Sequence, residues 1–304
     1  MTTAARTTWD GLEIAANEPH GATIAVRRPA GAGEFDYLLL HRAHQGPDFD
    51  GPWAWTPPAG ARQPGEAVEP AALRELAEEA GIGGVDIHPV DLSGNWARFY
   101  AEVPADVAVD LVDAEHDSYQ WVSAPRAGRI CRPAAVARQV PIVDTIPSVS
   151  FTFRPAGAGD RADLLAWRAA PHIAPWICDE PTEDAEEHIV VADGRAVGYA
   201  ELLGAGDPRL AGVAALAGSV SVTFYLADAD VVSRGLGATF LWAYLRQVVL
   251  PAHPGAAYVT ALPAAGNRPA RRALERAGFL HAADVPDGSA ILAVHAIDRA
   301  HWFG

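Results

Sequence analysis

The chain has 304 residues, half of them apolar, with a formal net charge of −15 and two cysteines, Cys131 and Cys178. That length favours two domains, each large enough for its own core. The acidic balance argues against non-specific nucleic-acid binding, and the longest apolar runs are too short for a transmembrane helix, so neither nucleic acid nor membrane is an expected partner. The cysteines lie far apart without metal-ligand spacing and read as reduced thiols in a cytoplasm. The start, MTTAARTTWDGLEIAANEPHG, lacks a basic stretch followed by an apolar one, so no secretion signal is expected. All 23 basic residues are arginine. This excludes a P-loop lysine, a Schiff-base lysine and a catalytic lysine base, and leaves phosphate binding to arginine, metal or backbone N–H groups.

Gly21–Arg28 (GATIAVRR) and Asp36–Arg42 (DYLLLHR) read as strands separated by a turn at PAGAGE. The next stretch, HQGPDFDGPWAWTPPAG, reads as a loop with a short strand over Trp53–Thr56, and it ends at Gly60. Glu69–Ala80 reads as a helix, with Pro70 in the first turn and Gly81 at the exit. Leu73, Leu76 and Ala80 give this helix an apolar stripe. Glu75, Glu78 and Glu79, at i, i+3 and i+4, converge on a different face. Acidic runs are commonly just solvated faces. Here, however, like charges one turn apart repel, and acids sit badly near the negative end of a helix dipole. A hard cation such as Mg²⁺ or Mn²⁺ relieves both problems. Asn95–Val103 and Ser118–Val122 read as strands and Arg132–Val140 as a helix.

The spacing from Gly60 through Glu66, Arg74, Glu75, Leu76, Glu78, Glu79 and Gly81 to Ile82 is G-x₅-E-x₇-R-E-U-x-E-E-x-G-U, where U is apolar. It resembles the Nudix box. The resemblance implies an α/β/α sandwich with a mixed sheet, hydrolysis of a nucleoside diphosphate linked to another group, and a Mg²⁺ or Mn²⁺ cofactor. It implies Glu78 and Glu79 as metal ligands, Glu75 as ligand or base, and the Gly60 carbonyl completing the shell. Arg74 is then structural, tying the helix to the loop through an acid such as Glu66. A further carboxylate is expected from a later loop, and Glu115 is the candidate, completing a catalytic set of Glu75, Glu78 and Glu115. Trp53, Trp55, Trp96, Tyr119 and Trp121 are candidates to stack on a base, although strand aromatics are more often core.

Pro141–Ser150 (PIVDTIPSVS) reads as a linker, dividing the chain into domains 1–147 and 148–304. Beyond it, Val149–Phe153 reads as a strand and Asp160–Ala170 as an amphipathic helix. His188–Ala192 and Ala196–Leu203 flank the turn Asp193-Gly194, a hairpin signal. Ser219–Leu226 reads as a strand. The glycines of VVSRGLGATFL (Val231–Leu241) then open a helix carrying Leu236, Phe240, Tyr244 and Val248. A glycine-rich turn at a helix start presents backbone N–H groups to an anion. Tyr258–Leu262 reads as another strand, followed by N-R-P-A-R-R-A-L-E-R-A-G-F from Asn267 to Phe279.

The ordered series GYAE, RGLGA and N-x-x-A…E-R-A-G-F resembles the Gcn5-related N-acetyltransferases (GNAT), and within them the aminoglycoside 6′-N-acetyltransferase branch, over about residues 148–297. The resemblance implies a mixed α/β fold that binds acetyl-CoA. Arg234, Gly235, Leu236, Gly237 and Ala238 would cradle its pyrophosphate, and Asn267 would contact the pantetheine or order a splay between two strands. An amine would attack the thioester directly. Two positions depart from the family. Leu274 stands where a tyrosine is common, and Thr223 where an aspartate base is found. Glu201 and Asp228 are candidate replacements for the base, although surface acids are the commoner fate of each. The expected protein is a pyrophosphohydrolase joined to an acetyltransferase, with a small-molecule nucleotide, a small amine and a second copy of the chain as candidate partners. The alternatives are a Nudix enzyme with a non-catalytic acyl-CoA-binding domain, and a nucleotide-sensing binding protein.

Overall fold

The computed structural model describes residues 7–8, 11–31, 33–43, 46–177 and 184–304; Cys178 lies outside them. The chain divides into two compact units, Met1–Ile146 with His301–Gly304, and Pro147–Ala300. Both are mixed α/β. Among the described residues no helix is long and apolar enough to cross a membrane.

The first unit runs β1 (Gly21–Gly31), β2 (Glu34–Arg42), β3 (Trp55–Thr56), β4 (Ala59–Ala61), α1 (Val68–Ala80), β5 (Ile87–Asp91), β6 (Ala97–Glu102), β7 (His116–Ser123), α2 (Ala124–Ile130), α3 (Ala134–Ala137) and α4 (Gln139–Asp144). Its sheet is ordered β3-β2-β1-β6-β5, with β4 on β1 and β7 on β2. Only β1 and β6 pair in parallel; the other pairs are antiparallel. The centre of β1 and β2 is continuously apolar and fully buried, as a strand covered on both faces requires. The expected helix over Arg132–Val140 is instead two short helices, and the second takes up the first four residues of the expected linker. Val140 and Val143 are buried, and the fully buried Arg27 guanidinium donates to the carbonyls of Val143 and Ile146. Two apolar side chains and two carbonyls thereby anchor a segment whose prolines suggested a tether.

The second unit runs β8 (Phe151–Pro155), α5 (Arg161–Arg168), β9 (Glu186–Ala192), β10 (Arg195–Leu203), β11 (Val220–Leu226), α6 (Gly237–Tyr244), a π-turn over Leu245–Val249, α7 (Leu250–Ala252), β12 (Tyr258–Ala261), α8 (Arg268–Arg276), β13 (Leu280–Asp287) and β14 (Ala290–Asp298). Its sheet order is β13-β14-β12-β11-β10-β9-β8. The β9–β10 turn places Asp193 at φ 48° and Gly194 at φ 80°. Both central residues are left-handed, which matches the strand twist and suits Asp-Gly. Phe240 and Tyr244 of α6 meet Phe151, Phe153 and Phe224 of the sheet, which fixes this helix on one face.

Candidate functional site

In the first unit the site is built on α1 and the strand that precedes it. Gly81 ends the helix at φ 67° with its N–H on the Ala77 carbonyl, a left-handed stop that favours glycine. Leu76 and Ala80 bury the apolar stripe, while Leu73 is only half-buried. The three glutamates share a helix but not an environment. Glu79 is 4 % exposed among the core residues and accepts the Ala59 N–H on Oε2 at 2.8 Å. Glu75 lies against Gly60: a Cβ built there would sit 1.9 Å from its carboxyl carbon. Only a glycine lets this carboxylate rest on the strand. Glu78 is half-exposed and is drawn toward Arg74, whose Nη1 donates to both Glu75 Oε1 and Glu78 Oε2 at 2.8 Å.

Arg74 also binds Glu66 through two parallel hydrogen bonds and donates to the Ala61 carbonyl at 3.1 Å. Glu115, at the entry to β7, sits 3.4 Å from Arg42, while its carbonyl accepts the Ala43 N–H. Burial raises the Glu75 pKa, with Glu78 and Glu115 adding to the rise and Arg74 opposing it. Burial also pushes Glu79 well above the ordinary carboxylate range, with Glu75 and Glu115 adding and the Ala59 N–H opposing. Glu75, Glu79 and Glu115 therefore feel one another's charge. Among the described residues no three acids, histidines or cysteines are already gathered into a metal-holding cluster. The Arg74 guanidinium holds an oxygen of each of two of the three helix carboxylates. The donor set, carboxylates beside the Gly60 backbone, still suits a hard divalent cation.

The candidate stacking aromatics scatter. Trp53 (49 % exposed) and Tyr119 (43 %) face outward. Trp55 packs on His41, and Trp121 lies under Arg28 at 4.3 Å. Trp96 lies so close to Gly21 that a Cβ there would meet its ring at 2.5 Å. Sequence reading missed His41, buried between Asp117 (2.7 Å) and the Phe49 carbonyl (2.8 Å). A lone histidine in an apolar strand gives no signal of such partners.

In the second unit, β11 and β12 run parallel but pair only at Val220 with Val259 and Ser221 with Thr260. Beyond Ser221 the strands part. Between the end of β11 and the start of α6 lies the turn that contains Arg234 and Gly235. Ser233 (φ 64°) and Gly235 (φ 81°) are left-handed there, Arg234 is exposed, and Leu236 is buried as a plug. Gly237 and Ala238 begin α6, whose first N–H groups lack intrahelical acceptors. A Cβ at Gly237 would meet the Ala273 Cβ at 3.0 Å, so glycine also permits the close approach of α8. Asn267 caps α8, its Oδ1 accepting the Ala270 N–H at 3.2 Å. Leu274 is fully buried. Glu201 is buried rather than on the surface, and Asp228 is ion-paired to Arg195 at 2.5 Å.

Residues 18–144 match the NUDIX domain family, and residues 158–286 match the Acetyltransferase (GNAT) domain family. No curated protein sequence matches the chain. Among solved structures, the aminoglycoside acetyltransferase AAC(6')-Ib in complex with coenzyme A is 22% identical (TM-score 0.42), the match covering 50% of this chain and 96% of that one. An aminoglycoside N(6')acetyltransferase from Legionella pneumophila is 15% identical over 49% of this chain and 91% of that one, with TM-score 0.39. A C. elegans Ap4A hydrolase is 26% identical over 40% of this chain and 93% of that one, with TM-score 0.34. The chain joins a NUDIX domain to an acetyltransferase domain of the GNAT family.

Proposed function

We propose that the protein is a bifunctional cytoplasmic enzyme. Its first domain, residues 1–147, hydrolyses a nucleoside diphosphate-linked substrate with Mg²⁺ or Mn²⁺, and its second, residues 148–304, transfers an acetyl group from acetyl-CoA to a small amine. The observation that carries the first half is the Glu75 carboxylate seated on Gly60 beside the buried Glu79. Glu75, Glu78 and Glu79, with the backbone oxygen of Gly60, would hold the cation. When bound, it supplies charge neutralisation for the phosphates and a more acidic water. Glu75 and Glu115 are the residues available to take a proton from that water, and burial raises the Glu75 proton affinity. Arg74 and Arg42 hold the acids in place.

Turnover of a panel of nucleotide-linked diphosphates with Mg²⁺ is the direct test. Wild-type protein should exceed the E78Q/E79Q double variant by several orders of magnitude, and equal rates would remove the hydrolase assignment. In the second half, the splay after Ser221 and the left-handed turn before α6 support acetyl-CoA binding through Arg234–Ala238, with Asn267 shaping the edge of the splay. Titration calorimetry with acetyl-CoA tests the binding, and thiol release with an amine panel tests the transfer.

One observation favours a second reading. Leu274 is fully buried where the family commonly carries a tyrosine, which suits an acyl-CoA-binding module without transfer. That reading gives acetyl-CoA binding and no thiol release with any amine.

A further inference from the structure

Residues 1–146 do not close the first unit by themselves. His301–Gly304 belong to it, although the whole second unit separates them from Ile146 in the chain. Trp302 is 3 % exposed and meets the His301 ring edge-on at 5.2 Å. Gly304 lies on Ala67: a Cβ built on the glycine would stand 3.8 Å from the Ala67 Cβ. Ala67 is the N-cap of α1, the helix that carries Glu75, Glu78 and Glu79, and it makes no side-chain cap. A helix entry without a capping oxygen depends on tertiary packing to hold its place.

A second contact of the same four residues is polar. Asn17 Nδ2 lies 3.1 Å from His301 Nδ1. The other end of the amide fixes its direction, because Asn17 Oδ1 accepts from Arg62 Nη2 at 2.7 Å and a guanidinium can only donate. Asn17 therefore donates to His301. Arg62 is 2 % exposed, and it also donates to the Asn17 carbonyl at 2.6 Å, the Pro19 carbonyl at 3.0 Å and the Glu66 carbonyl at 2.6 Å. The Glu66 carboxylate holds Arg74, whose Nη1 reaches Glu75 and Glu78. An unbroken series of contacts thus runs from His301 through Asn17, Arg62, Glu66 and Arg74 to two of the acids on α1.

We propose that residues 301–304 are a positioning element of the hydrolase site. They pin Asn17 and Ala67, and through Arg62 and Glu66 they steady the Arg74 fork that sets Glu75 and Glu78 for the cation. The inference rests on the hydrolase reading above. Without these four residues, the segment Ala15–His20 keeps its backbone bonds to Arg62 but loses the side-chain anchor at Asn17. Ala67 loses its neighbour at the same time. None of the four is among the residues that would hold the cation or take the proton, so their removal acts on metal affinity rather than on the chemical step.

The test compares the wild-type protein with a deletion of residues 301–304, with H301A, and with H301N, whose amide oxygen can accept where Nδ1 did. Hydrogen exchange of the metal-free proteins comes first. H301A should speed exchange of the amides between Arg62 and Ala67 by about fivefold, H301N should exchange like wild type, and the strands of the second unit should be unchanged in both. Mn²⁺ alone is then titrated by calorimetry. Its dissociation constant should rise by about tenfold in the deletion, as when a metal site loses a supporting contact, rise by less in H301A, and recover in H301N. The Mg²⁺ concentration that half-activates hydrolysis of the diphosphate panel should rise in parallel, with kcat at saturating Mg²⁺ little changed. Should the deletion fail to fold, H301A against H301N decides. Exchange and Mn²⁺ affinity equal to wild type in H301A overturn the inference and leave the hydrolase reading standing. Faster exchange without weaker Mn²⁺ binding makes the four residues a structural prop and overturns their role at the site. A wild type that neither binds Mn²⁺ nor hydrolyses any diphosphate overturns the hydrolase reading and this inference with it.

Discussion

Arg74 grips Glu66 with two parallel hydrogen bonds, Nε to Oε1 at 2.8 Å and Nη2 to Oε2 at 3.0 Å. One further nitrogen of the same guanidinium reaches Glu75 and Glu78. A single planar cation thus closes the loop after β4 onto α1 and neutralises part of an acidic face. R74A removes the grip and leaves three acids facing one another. It should lower stability by about 2 kcal/mol, below the cost of breaking a fully buried pair because the site is partly exposed. R74K keeps the charge but not the fork and should recover only part of the loss. Urea midpoints of the three proteins settle the order.

Gly60 serves the site sterically. An alanine there meets the flexible end of Glu75, so the fold should survive with little change in melting temperature while the carboxylate is displaced. A misplacement of about 1 Å costs on the order of 100-fold in rate. G60A should therefore lose nucleotide hydrolysis at nearly wild-type stability. Full activity in G60A would separate the Glu75 position from the chemistry.

Two buried histidines set a pH dependence in the second unit. Burial lowers the pKa of His188, whose Nδ1 lies 3.1 Å from the Tyr244 hydroxyl, and that of His295, which is fully buried. Below about pH 6.5 the unfolded chain binds protons that the folded one does not, so stability is present above that pH and is lost as pH falls toward the lower folded values. Urea midpoints at about pH 7.5 and about pH 5.5 should differ in wild type, and the H188Q/H295Q variant should show a smaller difference.

Cys131 is 2 % exposed, and burial pushes its thiol up to about 12. The reactive thiolate is therefore scarce at neutral pH and sheltered as well. In a C178S background, Cys131 should resist a disulfide-exchange reagent in native buffer and react fully in denaturant. Rapid labelling of the native protein would contradict the burial.

Local chemistry made much of this molecule legible in advance. The α1 helix with its Gly81 stop and the Asp193-Gly194 hairpin follow from backbone preferences and periodicity within a few residues, which do not depend on distant partners. Ordered motifs likewise announced both domain families. The short strand β4 and the helix α4 were not legible, because their partners lie far away in the chain.

The sequence by itself determined that three glutamates share one helix and that Glu201 lies on a strand. Only the tertiary structure decided that Glu79 is buried, Glu75 rests on a glycine, Glu78 turns outward to Arg74, and Glu201 is enclosed while Asp228 is tied to Arg195. The physical reason is that side-chain spacing is set by neighbouring residues, whereas desolvation and charge pairing are set by whatever the fold brings alongside.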